Sequence, residues 1–330
     1  MRKNILLLAM TLIMAFSVVG CGNTNTTESE KETAIQTPDT PKTVTINSFN
    51  GNEEEIELEI PYNPQRIAVL DMAMLDIIDY IGVGEQVVGM AKGSTIDYLS
   101  DYNNNESIAN VGTVKEADLE ALMACEPDVI FIGGRLAGSY DALAQIAPVV
   151  YLPTDYEVGL MESVKNNVTT IATMFGLEEK VNSVIIDLES RVASLKEVAA
   201  GKTAVVGLVT SSSFSTLGND SRCSMIGTDI GFTNLAADVD STHGNEASFE
   251  LLPELNPDYI FVLDRDSAIG SEGAQLAKDV MNNELVKKTS AYKNEQIVYL
   301  TPTVWYLAEG GLTAMDIMLQ DLETALLSTN

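Results

Sequence analysis

The segments EPDVIFIGGR and NPDYIFVLDR end at Arg135 and Arg265, 130 positions apart. Extended to residues 119–135 and 249–265, the two stretches share seven identities in seventeen positions. Each copy has a Pro-Asp turn dipeptide, four apolar residues of the kind that a strand buried on both faces uses, and a short step to an arginine. Such a duplication constrains the fold strongly. It predicts two similar lobes rather than one continuous sheet.

The surrounding sequence agrees. Short apolar strands alternate with helical patterns: RIAVL, AMLDIIDYIG, VVGM, ADLEALMACEPDVIFIGGR and VVYL in the first half. TAVVGLV, a helical SMIGTDIGFTNLA, FELLPELNPDYIFVLDR and IVYL follow in the second. This alternation predicts an α/β fold with central, mainly parallel sheets. Ahead of it, KTVTINSFNGNEEEIELEIP alternates like a hairpin with NGN at its turn. Residues 177–199 contain neither Gly nor Pro and hold helical spacing throughout. They predict one long connecting helix of about 30 Å, with an N-terminal lobe over 43–176 and a C-terminal lobe over 200–330. A single stiff connector allows small relative motions of the lobes, and the cleft between them is the expected ligand site.

The first twenty residues read as a sorting signal. MRKN is basic, ILLLAMTLIMAFSVV is apolar, and VVGC sets small residues before Cys21. The stretch resembles a bacterial lipobox, in which Cys21 is lipidated; an ordinary signal peptide or a membrane anchor is the other reading. Residues 21–42 are polar and lack aromatics, the composition of a disordered tether. No later stretch is long and apolar enough to cross a membrane. Cys125 and Cys223 are expected as free thiols, too few for a disulfide framework or a zinc site.

The formal charge is −29, with 19 Lys and Arg against 48 Asp and Glu. A chain this acidic repels phosphate backbones, which argues against nucleic acid as a partner. His243 is the only histidine, and G-x-S-x-G, H-E-x-x-H and P-loop patterns are absent. The chain is therefore expected not to be an enzyme, although paired carboxylates in a cleft hydrolase stay open as an alternative in so acidic a sequence. A zinc- or manganese-binding protein would need several imidazoles or thiolates, which one histidine cannot supply.

NPQRIAVLD (63–71), GGR (133–135), NDSRCSMIG (219–227), THGN (242–245), VLDR (262–265) and PTVWYLAEGG (302–311), in this order, carry a family resemblance. From about residue 60 onward the chain resembles the substrate-binding lipoproteins of ABC iron importers that have a helical backbone, in particular the catecholate-siderophore branch. The resemblance implies a monomer tethered by Cys21 to the outer face of the bacterial cytoplasmic membrane, with no permanent cofactor. Its cargo would be an Fe(III)–siderophore, delivered to an ABC permease. Ligands of open α/β lobes gather at the carboxyl ends of strands, so Arg135, Arg222 and Arg265 would converge on an anionic ligand, with Trp305 beside it. The resemblance further implies that His243 and Tyr306 bind the iron, and that Glu120 and Glu250 dock to permease arginines. Val304 departs from the pattern, where a second aromatic is expected. Haem, cobalamin and hydroxamate siderophores remain alternative cargoes of the same fold.

Overall fold

A computed structural model describes residues 42–238, the backbone of 245–246, and residues 249–327. Cys21, the tether up to residue 41, and His243 lie outside the described residues. No described helix is long and apolar enough to cross a membrane.

The expected hairpin forms from β1 (Thr43–Phe49) and β2 (Glu55–Pro61), antiparallel, with Phe49 opposite Glu55. Asn50 shapes the turn: its side-chain oxygen accepts from Asn52 N at 2.9 Å and Glu54 N at 3.1 Å. Buried Ser48 fastens the hairpin to the first lobe by exchanging hydrogen bonds with the backbone of Tyr151.

The first sheet contains β3 (Ile67–Val69), β4 (Val87–Met90), β5 (Ala109–Asn110), β6 (Val129–Ile132) and β7 (Val149–Tyr151). All pairs are parallel, in the order β5-β4-β3-β6-β7. The second sheet contains β8 (Thr203–Thr210), β9 (Ser213–Thr216), β10 (Thr233–Asn234), β11 (Asn245–Glu246), β12 (Tyr259–Asp264) and β13 (Ile297–Tyr299). Its order is β11-β9-β8-β12-β13, with β10 alongside the start of β8 and only β9 antiparallel to its neighbours. The repeated sequence segments give β6 and β12, which take matching places between a first strand and an edge strand.

The continuous apolar runs of β8 and β12 reflect burial on both faces. Ala204, Val206, Leu208, Phe261 and Leu263 point into the main core. Val205, Val209, Ile260 and Val262 point into a second cluster on the far side of the sheet. The strand period of two divides neighbouring residues between these layers.

Residues 224–236 depart from the expected helix. Only Met225–Thr228 makes a helical turn, and Thr233–Asn234 pairs with β8. Gly231, at φ +84°, turns the chain back to the sheet. Buried Ile226 and Ile230, four apart, imitate a helical stripe without continuing it.

Helix Leu160–Phe175 ends at Gly176, φ +64°, and helix Glu178–Ala199 follows. At 22 residues the second helix is about 33 Å long. Its Val181, Ile185, Leu188 and Leu195 are buried along one stripe. The final helix, Leu312–Leu327, packs on this connector and on helix Met72–Tyr80 of the first lobe. Arg191 clasps it through Glu323 at 2.7 Å and Asp316 at 2.5 Å.

Two buried or half-buried carboxylates then cap helices across the lobe boundary. Asp76, from the first lobe, accepts from Thr313 N at 2.8 Å and Ala314 N at 2.9 Å. Asp229, from the second, accepts from Leu160 N at 3.1 Å and Met161 N at 3.0 Å. Each satisfies donors that a helix start leaves without an internal partner.

Candidate functional site

A cavity of about 450 Å³ opens between the lobes, at the carboxyl ends of both sheets. One wall is residues 93–95, Asp97 and residues 113–115 with Arg135; the other is Arg265 and residues 267–270 with Thr303, Tyr306 and Leu307. Among the described residues, three basic side chains, Lys115, Arg135 and Arg265, line it against a single carboxylate, Asp97, while buried Asp266 lies 3.7 Å from Arg265 Nη1 behind the wall. The wall thus reverses the charge balance of the chain as a whole.

Arg135 leaves the turn that follows β6 and is exposed to the cavity. Gly133 allows this turn to lie against helix Met72–Tyr80, because a Cβ there would sit 2.1 Å from Asp71 Oδ2. Asp71 caps that helix through Ala73 N and Met74 N. Burial raises the Asp71 pKa, opposed by the Met74 N–H and then by the charge of Arg135.

Arg265 begins the short helix after β12. Asp264 fixes this turn, accepting from Ser267 N at 2.9 Å and from Ala277 N at 2.8 Å. Arg265 Nε donates to Tyr306 Oη at 3.0 Å. Arg222 stands on the same phenol, its guanidinium carbon 4.2 Å from the ring centroid. Its Nη1 also donates to the Tyr306 carbonyl at 2.9 Å, and its buried Nε has no partner among the described residues. Arg222 therefore backs Tyr306 rather than lining the cavity, a departure from the expected convergence of three arginines. Behind it, buried Glu309 accepts from Cys223 N at 2.9 Å and Tyr156 Oη at 3.0 Å. Burial raises the Glu309 pKa, opposed first by the charge of Arg222.

Trp305 also differs from expectation. It is completely buried, and its Nε1 donates to Asp321 Oδ2 at 2.9 Å. Successive helical residues point about 100° apart, so Tyr306 faces the cavity while its neighbour anchors the helix to Leu312–Leu327. Trp305 is a packing residue that does not line the cavity. Val304 is buried as well.

Glu120 is exposed in the first turn of helix Leu119–Cys125, and Glu250 is exposed at the start of helix Leu251–Leu255. In the first lobe the capping residue is Asp118, which accepts from Ala121 N at 3.0 Å. Glu120 is not needed for that task. Cys125 and Cys223 are free and buried. Among the described residues, no group of three or more His, Cys, Asp or Glu could hold a metal ion.

Sequence reasoning missed Lys115, Asp97, Ser94 and Thr95. The usable signal was positional: these residues lie in loops that leave the carboxyl ends of β4 and β5.

The family model for periplasmic binding protein, Peripla_BP_2, matches residues 67–304. The chain belongs to this family. It is a substrate-binding component of transport and not an enzyme. The petrobactin-binding protein YclQ of Bacillus subtilis is 32% identical over 330 residues, 98% of this chain and 99% of the relative. Its crystal structure superposes with a TM-score of 0.79, covering 86% of this chain and 99% of that one. The periplasmic catecholate-siderophore binding protein VctP of Vibrio cholerae is 29% identical, with a TM-score of 0.78 over 85% of this chain and 100% of that one. These structures share the two lobes joined by a helix.

Proposed function

We propose that this protein captures a ferric catecholate siderophore in the interlobe cavity and hands it to an ABC permease for iron uptake. The observation that carries the reading is the cavity wall, where Lys115, Arg135 and Arg265 gather with Tyr306 in a strongly acidic chain. Holding like charges together is unfavourable until an anion arrives. A charge pair at about 5 Å and an effective dielectric near 20 is worth roughly 3 kcal/mol before desolvation. Ferric iron held by two or three catecholates carries a matching negative charge. Val114, Ala268, Ile269 and Leu307 add apolar surface for flat rings. The similarity to petrobactin- and catecholate-siderophore-binding proteins supports the same class.

In this reading Tyr306 and His243 complete the iron shell when a siderophore supplies only four donor atoms. Phenolate and imidazole are both accepted ligands of ferric iron. Lipid at Cys21 holds the monomeric protein at the outer face of the cytoplasmic membrane, and Glu120 and Glu250 engage the permease. Resemblance to a probable siderophore-binding lipoprotein of Bacillus subtilis, 27% identical over 343 aligned positions, supports the anchor.

Calorimetric titration with ferric bis-catecholate, ferric tris-catecholate, ferric hydroxamate, haem and cobalamin tests the cargo. Tight binding of the catecholates alone is expected. Preference for any of the other three would overturn the reading.

A further inference from the structure

The carboxylates around the cavity are unequal. Asp71, Asp76, Asp264 and Asp266 are all committed to backbone N–H groups: Asp71 and Asp76 at helix starts, Asp264 to Ser267 and Ala277, and Asp266 to Ser211 N at 2.6 Å. Asp97 alone lies in the wall, exposed, and its carboxylate makes no hydrogen bond or ion pair among the described residues. No ion pair joins it to Lys115 or to either wall arginine.

Asp97 is nevertheless held firmly. Its neighbours Ile96 and Leu99 are each 2% exposed. Tyr98 donates its hydroxyl to Asp76 Oδ2 at 2.5 Å, fastening the turn to the first lobe. The buried residues on either side turn inward and leave the Asp97 carboxylate on the cavity face. A wall built only to hold a multiply charged anion gains nothing from a fixed negative charge.

We propose that Asp97 is an ammonium subsite, selecting ferric complexes whose siderophore backbone carries a protonated amine beside its anionic metal centre. The inference rests on the catecholate reading and narrows it: the cargo has two signs of charge, the iron end towards Arg135 and Arg265 and the amine towards Asp97. An all-anionic complex meets repulsion there, whereas an amine-bearing one gains a charge-assisted hydrogen bond.

The test uses the ferric complexes of two synthetic bis-catechol amides of equal length, one with a secondary amine in its linker and the other with a methylene in its place. Wild-type protein should bind the amine complex at least tenfold more tightly. Asp97→Asn should remove that preference by weakening the amine complex while leaving the methylene complex as tight or tighter. Equal affinity of wild type for both complexes overturns the ammonium subsite and leaves the catecholate reading standing. So does an Asn variant that keeps the preference. Binding of neither complex overturns both. Circular dichroism of the variant, expected to match wild type because Asp97 is exposed and its side chain makes no hydrogen bond or ion pair among the described residues, excludes misfolding as the cause.

Discussion

Arg265 Nε donates to the hydroxyl oxygen of Tyr306 across 3.0 Å, which leaves the hydroxyl proton of Tyr306 free to face the cavity. A second cation, Arg222, lies against the same ring. The two guanidinium groups hold the phenol in place at the cavity wall, where its oxygen would be the donor to a hard cation in the proposed reading. Tyr306→Phe should weaken a tetradentate ferric catecholate tenfold or more, about 1.4 kcal/mol per decade, and remove a charge-transfer band. A hexadentate complex should hardly respond. Equal losses for the two ligands, measured by absorbance titration, would mean that Tyr306 only packs against the siderophore.

Arg135 and Arg222 should separate experimentally. Arg135 is exposed in the wall, so Arg135→Gln should cost roughly 1–3 kcal/mol in ligand binding and leave the melting temperature unchanged. Arg222 supports Tyr306 from behind, so Arg222→Gln should lower both affinity and fold stability, the latter by about 1–2 kcal/mol. Calorimetry and thermal unfolding on the pair check this; identical behaviour would contradict the two placements.

Asp76 gives a pH signature. Burial pushes its pKa from 3.8 to about 6, against the opposing hydrogen bond from Tyr98. The folded protein therefore binds this proton more tightly than the unfolded chain does, and stability falls as pH rises from about 4 to about 6. The full shift corresponds to roughly 3 kcal/mol. Asp76→Asn should lack this component, so denaturant unfolding should show wild type losing ground to the variant across that window. A constant difference from pH 4 to 7 would remove Asp76 as the cause.

Glu120 and Glu250 occupy equivalent exposed places on the two lobes. The double change to Ala should leave siderophore affinity intact and abolish uptake into cells. Uptake at the wild-type rate would return both side chains to a helix-dipole role.

Much of the fold was legible because strands buried on both faces leave apolar runs that polar turns punctuate. The arginines after β6 and β12 could be read from the repeat alone. Which of Trp305 and Tyr306 faces the cavity could not, since a one-residue rotation of a short helix decides it and both side chains suit either side. Arg222 looked like a wall residue because loop sequences do not encode depth. Nor does an amphipathic pattern name its partner: Leu312–Leu327 announces an apolar face, but not that the face returns to the first lobe. Asp97 and Lys115 were hidden for a simpler reason, being charged loop residues in a chain with many.

The reciprocal caps of Asp76 and Asp229 bear on how a permease reads this protein. Moving the lobes far apart would strip the starts of helices Leu160–Phe175 and Leu312–Leu327 of their acceptors at once, while the connector between them resists bending. If Glu120 and Glu250 dock the permease, as proposed, the span between them is expected to differ little between the empty and the loaded protein. A transporter measuring that span would learn little about occupancy. On that reading discrimination would fall instead on the rim of the cleft, where bound cargo, or bare guanidinium groups, would meet the docking surface.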